Sequence, residues 1–345
     1  MEQISTIGID LAKNIFQLHA LDVEGNIVIQ KAVKRAALLP LVAKLPPCLI
    51  GMEACSGAHH WAREMIRMGH QVKLIPPAYV KAYVRRQKND AADAAAICEA
   101  VRRPSMRFVP VKSVEQQGLL MLHRTRELLV GQRTGLINAL RGHLSEFGIV
   151  AAQGVQNIGG LIAIVSDAND ARLPVGARLA LSGLVRQIQG LGGEVDGLDR
   201  QIKVWHSRDA ASRALATIPG IGPVTATALV ASITDPAMFK SGREFAAFLG
   251  LAPRQSSSGG KEKLGRISKM GDRYLRKLLV VGATAVLRYA KQGGSNSKAW
   301  AQALLARKPF KVAAVALANK TARIVWAILT RGGAYRNALA PAASA

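Results

Sequence analysis

The sequence predicts an α/β domain with a mixed sheet over residues 1–112, then a helical connector of coiled-coil character over 113–207. A mainly α-helical domain over 208–336 follows, and a disordered tail over 337–345 ends the chain. Three observations predict this order. Short, partly alternating apolar runs crowd the first 75 residues, two long stretches carry apolar residues at helical or heptad spacing, and the remainder is Ala-rich and broken by prolines.

The runs 4–11 (ISTIGIDL), 15–21 (IFQLHAL) and 26–31 (NIVIQK) are separated by the turns Ala12-Lys13-Asn14 and Val23-Glu24-Gly25-Asn26, and they read as a three-strand meander. A helix is expected over 36–45, a strand over 48–53, a helix over 59–68 and a strand over 71–75. After the Pro76-Pro77 break come a short helix, a basic loop and a helix over 91–102. Three strands followed by alternating helices and strands match a ribonuclease-H-like layout by fold-level analogy.

No proline interrupts Val114 to Phe147, where Leu122, Leu129, Leu136, Leu140 and Leu144 recur at helical spacing. From Leu181 to Trp205 the apolar positions step 3-4-3-4-3-4-3, an a/d seam of about three and a half heptads. Gly190, Gly192, Gly193 and Gly197 each weaken that helix by roughly 1 kcal/mol relative to Ala, so it needs a partner helix. The intervening 148–176 reads as a looser connector.

The chain has 345 residues, of which 49% are apolar, with 47 Lys and Arg against 22 Asp and Glu, a net charge of +25. The core-forming content excludes a disordered basic tail protein, and the charge points to a polyanionic partner. Residues 1–120 carry +6, 121–207 carry +2 and 208–345 carry +17, so the pull on a phosphate backbone belongs mostly to the last part. Aromatics at 5% argue against an extended base-stacking surface. Three cysteines without CxxC spacing exclude a disulfide framework or zinc knuckle and fit a reducing cytosol. The best apolar run, 278–285, falls short of the ~20 residues of a membrane span, so no membrane association is expected.

Asp10 closes the first strand and Glu53 the fourth, while Asp90 and Asp93 open a helix at i,i+3 spacing that projects both to one side. Hard oxygen ligands from separate elements suit Mg2+, and two such ions can clamp the attacking and leaving oxygens of a phosphodiester. Taken singly, Asp90 reads equally as a helix cap and Asp93 as a dipole partner. Arg85, Arg86 and Lys88 form a basic approach to this group.

Ile218-Pro219-Gly220-Ile221-Gly222-Pro223 lies between helical stretches. Gly220 and Gly222 permit a tight turn, and free N–H groups at the next helix start can hold a phosphate, so the segment reads as a helix-hairpin-helix that binds backbone without reading sequence. The Ser256-Ser257-Ser258-Gly259-Gly260 loop is flanked by Arg254, Lys261, Lys263, Arg266, Lys269 and Arg273, a plausible phosphate cradle in which the serines alternatively serve only flexibility. Tyr274 is a weaker candidate nucleophile beside it.

With GIDLAK, GMEACSG, NDAADAAAICEA, IPGIGPVTATAL and FLGLAPRQSSSGGKEKLGRISKMGD in view, the sequence resembles the DEDD transposases of the insertion-sequence-110 family, closest to its insertion-sequence-1111 branch, over nearly the whole chain. The resemblance implies a domain similar to the Holliday-junction resolvase RuvC, a coiled-coil connector and a C-terminal transposase domain. It implies that Asp10, Glu53, Asp90 and Asp93 bind magnesium. The nucleophile is then a serine that follows Gly250-Leu251-Ala252-Pro253-Arg254 and precedes a glycine. That position is Ser258, with Ser256 and Ser257 as neighbouring alternatives and Ser241 fitting poorly. It further implies recombination of double-stranded donor and target DNA through a covalent phosphoserine, directed by a structured noncoding guide (bridge) RNA. Acting with these partners is a homo-oligomer, a dimer and on DNA a tetramer, whose subunits share composite sites in the bacterial cytoplasm near the nucleoid. Two other readings stand beside this one. The first is a metal-dependent structure-specific nuclease of the resolvase type, and the second is a nonenzymatic architectural DNA-binding protein.

Overall fold

A computed structural model describes residues 4–83, 90–257, 260–261, 263–291 and 298–335. Its contacts divide the chain into two compact units, 1–114 and 115–345.

The first unit is built on a five-stranded sheet in the order β3-β2-β1-β4-β5. The meander strands β1 (Thr6–Asp10), β2 (Ile15–Leu21) and β3 (Ile27–Lys34) pair antiparallel. After α1 (Leu38–Val42), strand β4 (Leu49–Glu53) adds parallel to β1, with Ile9 opposite Met52. Helix α2 (Ala58–Arg67) crosses over to β5 (Gln71–Ile75), parallel to β4. The strands carry their apolar residues at alternate positions, so Ile7, Ile9, Phe16, Leu18, Ile50 and Met52 are all buried in one core. Helix α3 (Pro77–Val80) leads to α4 (Asp90–Val101), which packs on β1, β2 and β4. Its approach is close because Gly8 and Gly51 face it. A Cβ at Gly8 would lie 2.2 Å from the Ala94 carbonyl oxygen, and one at Gly51 2.8 Å from the Val101 side chain.

The second unit starts with the long helix α5 (Val114–Ser145) and continues through α6 (Ile158–Ser166) to α7 (Val175–Arg208). The stretch expected to be a loose connector thus contains a packed helix. Leu161 and Val165 of α6 are buried with Ile137, Leu140 and Leu144 of α5 and with Leu181, Val185 and Ile188 of α7. The Arg178 guanidinium donates to the Ile164 carbonyl at 2.9 Å and the Val165 carbonyl at 3.2 Å, satisfying orphan groups at the end of α6. On α7 the heptad positions Leu181, Ile188, Val195 and Ile202 are buried, whereas Leu184, Leu191 and Leu198 are half-buried. The Arg126 guanidinium of α5 donates to the Asp199 carboxylate of α7 from Nε at 2.5 Å and from Nη2 at 3.1 Å, joining the two long helices at that point.

Helices α8 (Ala210–Ala216), α9 (Pro223–Ser232) and α10 (Gly242–Phe248) precede a two-stranded hairpin, β6 (Pro253–Gln255) and β7 (Leu264–Ile267). Helices α11 (Arg273–Lys291), α12 (Lys298–Arg307) and α13 (Phe310–Arg331) complete the unit. Leu215, Leu229, Phe245, Leu249, Leu275, Leu279 and Val325 meet in its main core. By length and composition α13 is apolar enough to cross a membrane, a feature that the shorter apolar run at 278–285 did not reveal. Here it is a core helix: Ala314, Ala318, Ala322, Val325 and Ile328 are buried, and it packs on α10 and α11.

Candidate carboxylate site and basic hairpin

Asp10 and Glu53 end adjacent parallel strands one residue beyond the paired Ile9 and Met52, at the carboxyl edge of the sheet. The strand order reverses direction of travel at this pair, which is where open α/β sheets receive ligands. Asp93 enters from the first turn of α4, held by the contact of Gly8 with Ala94 and Cys98. Asp10, Glu53 and Asp93 are all half-buried. Burial, and then the negative charge of Asp93, push the Glu53 carboxyl above the usual carboxylate range.

Three carboxylates from three elements, with one already resisting ionisation, suit a hard divalent cation that offsets their repulsion. Among the described residues no group of three or more His, Cys, Asp or Glu side chains is placed to hold a metal ion. The Asp90 backbone heads α4, one turn from Asp93, but its side chain lies outside the described residues, as do Arg85, Arg86 and Lys88.

One member of this site went unnoticed in the sequence. Cys55 is half-buried beside the carboxylates, and burial followed by Glu53 and Asp10 pushes its thiol up. The thiol therefore stays protonated and is not a nucleophile. Nearby, His59 Nδ1 accepts from the Lys112 amide at 3.2 Å. Burial and then Lys112 and Arg63 hold its imidazole down at about 4, so it is neutral at physiological pH.

In the second unit the serine loop tops a β-hairpin where a helical region was expected to carry a loop. Pro253 pairs with Ile267 and Gln255 with Leu264. Strands of three and four residues, exposed on both faces, have no apolar alternation to announce them. Arg254, Lys261, Lys263, Arg266, Lys269 and Arg273 are all exposed, on or at the foot of this hairpin. The Ser256 amide donates to the Lys263 carbonyl at 2.9 Å, and Ser257 Oγ accepts from Gln255 Nε2 at 3.1 Å and from the Lys263 amide at 3.3 Å. Ser257 thus serves the hairpin itself. Ser258 and Gly259 lie outside the described residues. Ser241 caps α10, its hydroxyl accepting from the Glu244 amide at 3.3 Å.

The hairpin stands on a rigid foot. The Ser268 amide donates to Ala252 at 2.8 Å and the Lys269 amide to Gly250 at 3.1 Å, with Lys269 itself at φ +55°. Arg276 Nη1 donates to the Leu249 carbonyl at 3.0 Å, and Asp272 caps α11 by accepting from the Tyr274 and Leu275 amides at 2.7 and 3.0 Å.

Behind that cap lies a buried polar chain. Thr227 donates to the Pro223 carbonyl at 2.7 Å, so it accepts from His123 Nε2 at 3.0 Å, which leaves His123 Nδ1 to accept from the Tyr274 hydroxyl at 3.1 Å. Tyr274 is 4% exposed, and burial pushes its phenol up to about 12, which removes it as a nucleophile. Burial, with Arg126 and Arg124 behind it, pulls His123 down to about 4. The folded value lies below the ordinary one of about 6.5, so the stability that neutral His123 supports is complete above that pH. It is lost as pH falls from 6.5 toward 4, by about 3 kcal/mol. Thermal unfolding of His123→Leu is accordingly expected to lose much of the wild-type acid slope over that window, at a lower melting temperature because Tyr274 loses its acceptor. An unchanged slope would refute the assignment.

In the turn between α8 and α9, Gly220 has φ +86° and faces inward, its added Cβ meeting the Gly282 carbonyl of α11 at 2.8 Å. Gly222 precedes Pro223 at the start of α9 and faces open space. Of the two glycines, the first serves packing and only the second stands at an accessible helix start.

Residues 212–298 match the model of the transposase IS116/IS110/IS902 family, and residues 7–149 match a second transposase model, the DEDD type of IS110. The chain is 48% identical to a probable family 20 transposase of Pseudomonas aeruginosa, over 96% of this chain and 99% of that one. It is 47% identical to a putative transposase of Sinorhizobium fredii over 98% and 87%, respectively. It is 40% identical to the transposase for insertion sequence element IS1111A of Coxiella burnetii over 97% and 92%.

Proposed function

The chain belongs to the IS116/IS110/IS902 family of transposases and is therefore an insertion-sequence transposase, an enzyme acting on DNA, and we propose that it excises and inserts its element through a covalent phosphoserine intermediate directed by a structured noncoding RNA. The observation that supports this reading is that Asp10, Glu53 and Asp93 sit at the ends of β1 and β4 and in the first turn of α4 around one edge of the five-stranded sheet, whose order we read as ribonuclease-H-like and RuvC-like. Asp90 completes the set. Magnesium held by these carboxylates would supply charge stabilisation and activation at a scissile phosphate.

In the chemical step the Ser258 oxygen attacks phosphorus and gives up its proton. One phosphodiester bond is exchanged for a serine phosphate ester, and the displaced strand leaves as a hydroxyl. Attack by the terminal hydroxyl of another strand reverses the step on new DNA, restoring Ser258, so no external energy source is needed. The exposed cations of the hairpin hold the backbone during exchange, and the α8–α9 turn acts as a helix-hairpin-helix that adds a sequence-independent grip through the amides at Gly222. Sequence choice falls to pairing with the RNA. A dimer, tetrameric on donor and target DNA, works in the bacterial cytoplasm at the nucleoid. The resolvase-type nuclease is not favoured, because the relatives that cover the chain are named as transposases.

The test uses purified protein with cognate DNA, the element's RNA and Mg2+. A denaturant-stable protein–DNA adduct is expected from the wild type and from Ser257→Ala, and none from Ser258→Ala. An adduct that survives Ser258→Ala overturns the nucleophile, and cleavage without any adduct returns the reading to a nuclease.

A further inference from the structure

Residues 273–345 contain 13 Lys and Arg and no Asp or Glu, and among the described residues only Lys277 of that stretch reaches a carboxylate, Glu127. Within this anion-seeking region, α12 and α13 enclose an open groove of about 690 Å³ lined by Trp300, Asn319, Lys320, Arg323, Ile324 and Tyr335. Its chemistry is divided. Trp300 is 41% exposed in a chain with only four tryptophans, Tyr335 adds a second ring, and Lys320 and Arg323 stand exposed one turn apart on α13. The Lys320 ammonium rests over the Trp300 ring, 4.3 Å from its centroid. Asn319 donates to the Leu251 carbonyl at 3.1 Å, and α10 packs against the backbone of Arg323 through Gly242, so the wall of the groove is fixed by the core.

We propose that this groove binds one unpaired nucleotide of a nucleic-acid strand, its base flat on Trp300 and its phosphate between Lys320 and Arg323. The inference rests on the reading that the chain cuts and exchanges DNA strands, a process that leaves bases transiently without partners. A duplex offers the groove phosphates but keeps its base faces stacked inside, so only an unpaired base uses the indole. Base stacking on an aromatic is stronger than an exposed cation–π contact, so an entering base displaces Lys320 from the ring and frees the ammonium for the phosphate. A wall without a carboxylate fits an anionic ligand, and a volume of this size fits a single nucleotide.

Fluorescence anisotropy of the full chain with a labelled single-stranded DNA, an RNA of the same sequence and the matching duplex tests this. Trp300→Leu is expected to weaken single-strand binding about tenfold and duplex binding less than about twofold, with Trp300→Phe retaining most of the affinity. Lys320→Gln is expected to lower the salt dependence of single-strand binding by about one phosphate contact. A loss confined to the DNA or to the RNA arm identifies the strand that supplies the nucleotide. Equal losses on single strand and duplex, or none on the single strands, overturn the proposal. Failure of the wild type to bind duplex at all would instead overturn the reading that the hairpin cations and the α8–α9 turn grip the DNA backbone.

Discussion

Replacing Glu53 by Gln should lower strand cleavage by about a thousandfold while raising the melting temperature of the metal-free protein. The two effects share one cause. Glu53 sits half-buried at the end of β4, where burial and the charge of Asp93 hold its carboxyl above the usual range. A carboxyl whose folded value lies above its unfolded one favours the folded state only while protonated, and that contribution disappears as pH rises through the raised value. At neutral pH the ionised group therefore costs stability, and an amide of the same shape removes that cost. In the same replacement a hard ligand is lost. Asp10→Asn and Asp93→Asn should be equally damaging to cleavage, each leaving duplex binding within about twofold, because the grip on DNA lies with the basic second unit. Divalent magnesium should raise the wild-type melting temperature and do so much less in Glu53→Gln, a readout independent of turnover. Full cleavage in all three variants would remove the carboxylate site from the mechanism, and a destabilised Glu53→Gln would show that Glu53 is a structural partner instead.

The parts of this arrangement legible in the sequence are those with a local signature. Alternation in IFQLHAL and the turn residues around Gly25 announce a meander, and GIDLAK places Asp10 at a strand end. The 3-4 stepping of Leu181, Leu184, Ile188, Leu191, Val195, Leu198, Ile202 and Trp205 announces the helix that covers 175–208. What escaped depends on contacts distant in sequence. Cys55 joins the carboxylates because β4 and β1 pair in parallel, which no short-range pattern encodes. His123 pairs with Tyr274 across 151 positions, and its place in an amphipathic helix gives no sign that it faces a hydroxyl. The hairpin under the serines escaped because both of its strands are exposed, so the apolar period that usually marks a strand is missing. Gly220 looked like a ligand-facing turn glycine, but its freedom is used against Gly282. Glycine content alone does not distinguish a backbone approached by DNA from one approached by a helix.

The second large effect is expected at Gly271, a residue with no chemistry of its own. Gly271 has φ +88°, and a Cβ there would lie 1.8 Å from the Phe248 carbonyl oxygen. Its counterpart Gly250, at φ +71°, would place a Cβ 2.1 Å from the Met270 carbonyl oxygen. These two glycines let the strands of the serine hairpin close on each other at the foot, where Lys269 bonds to Gly250 and Arg276 reaches across to Leu249 and Met270. Gly271→Ala forces either the end of α10 or the start of α11 to move, at a cost of about 3 kcal/mol from the left-handed backbone and the overlap together. Because Asp272 and Tyr274 follow directly, the shift also disturbs the cap of α11 and the buried His123 pair. The expected outcome is a melting temperature lower by several degrees and loss of nearly all adduct, even at temperatures where the variant is folded. Gly265→Ala is the control within the same hairpin. Its nearest neighbour would be the Arg254 carbonyl oxygen at 3.6 Å, an ordinary contact, so both stability and adduct should stay near wild type. If Gly271→Ala keeps normal adduct formation below its melting temperature, the serine loop does not depend on its foot for position, and the hairpin is only a tether.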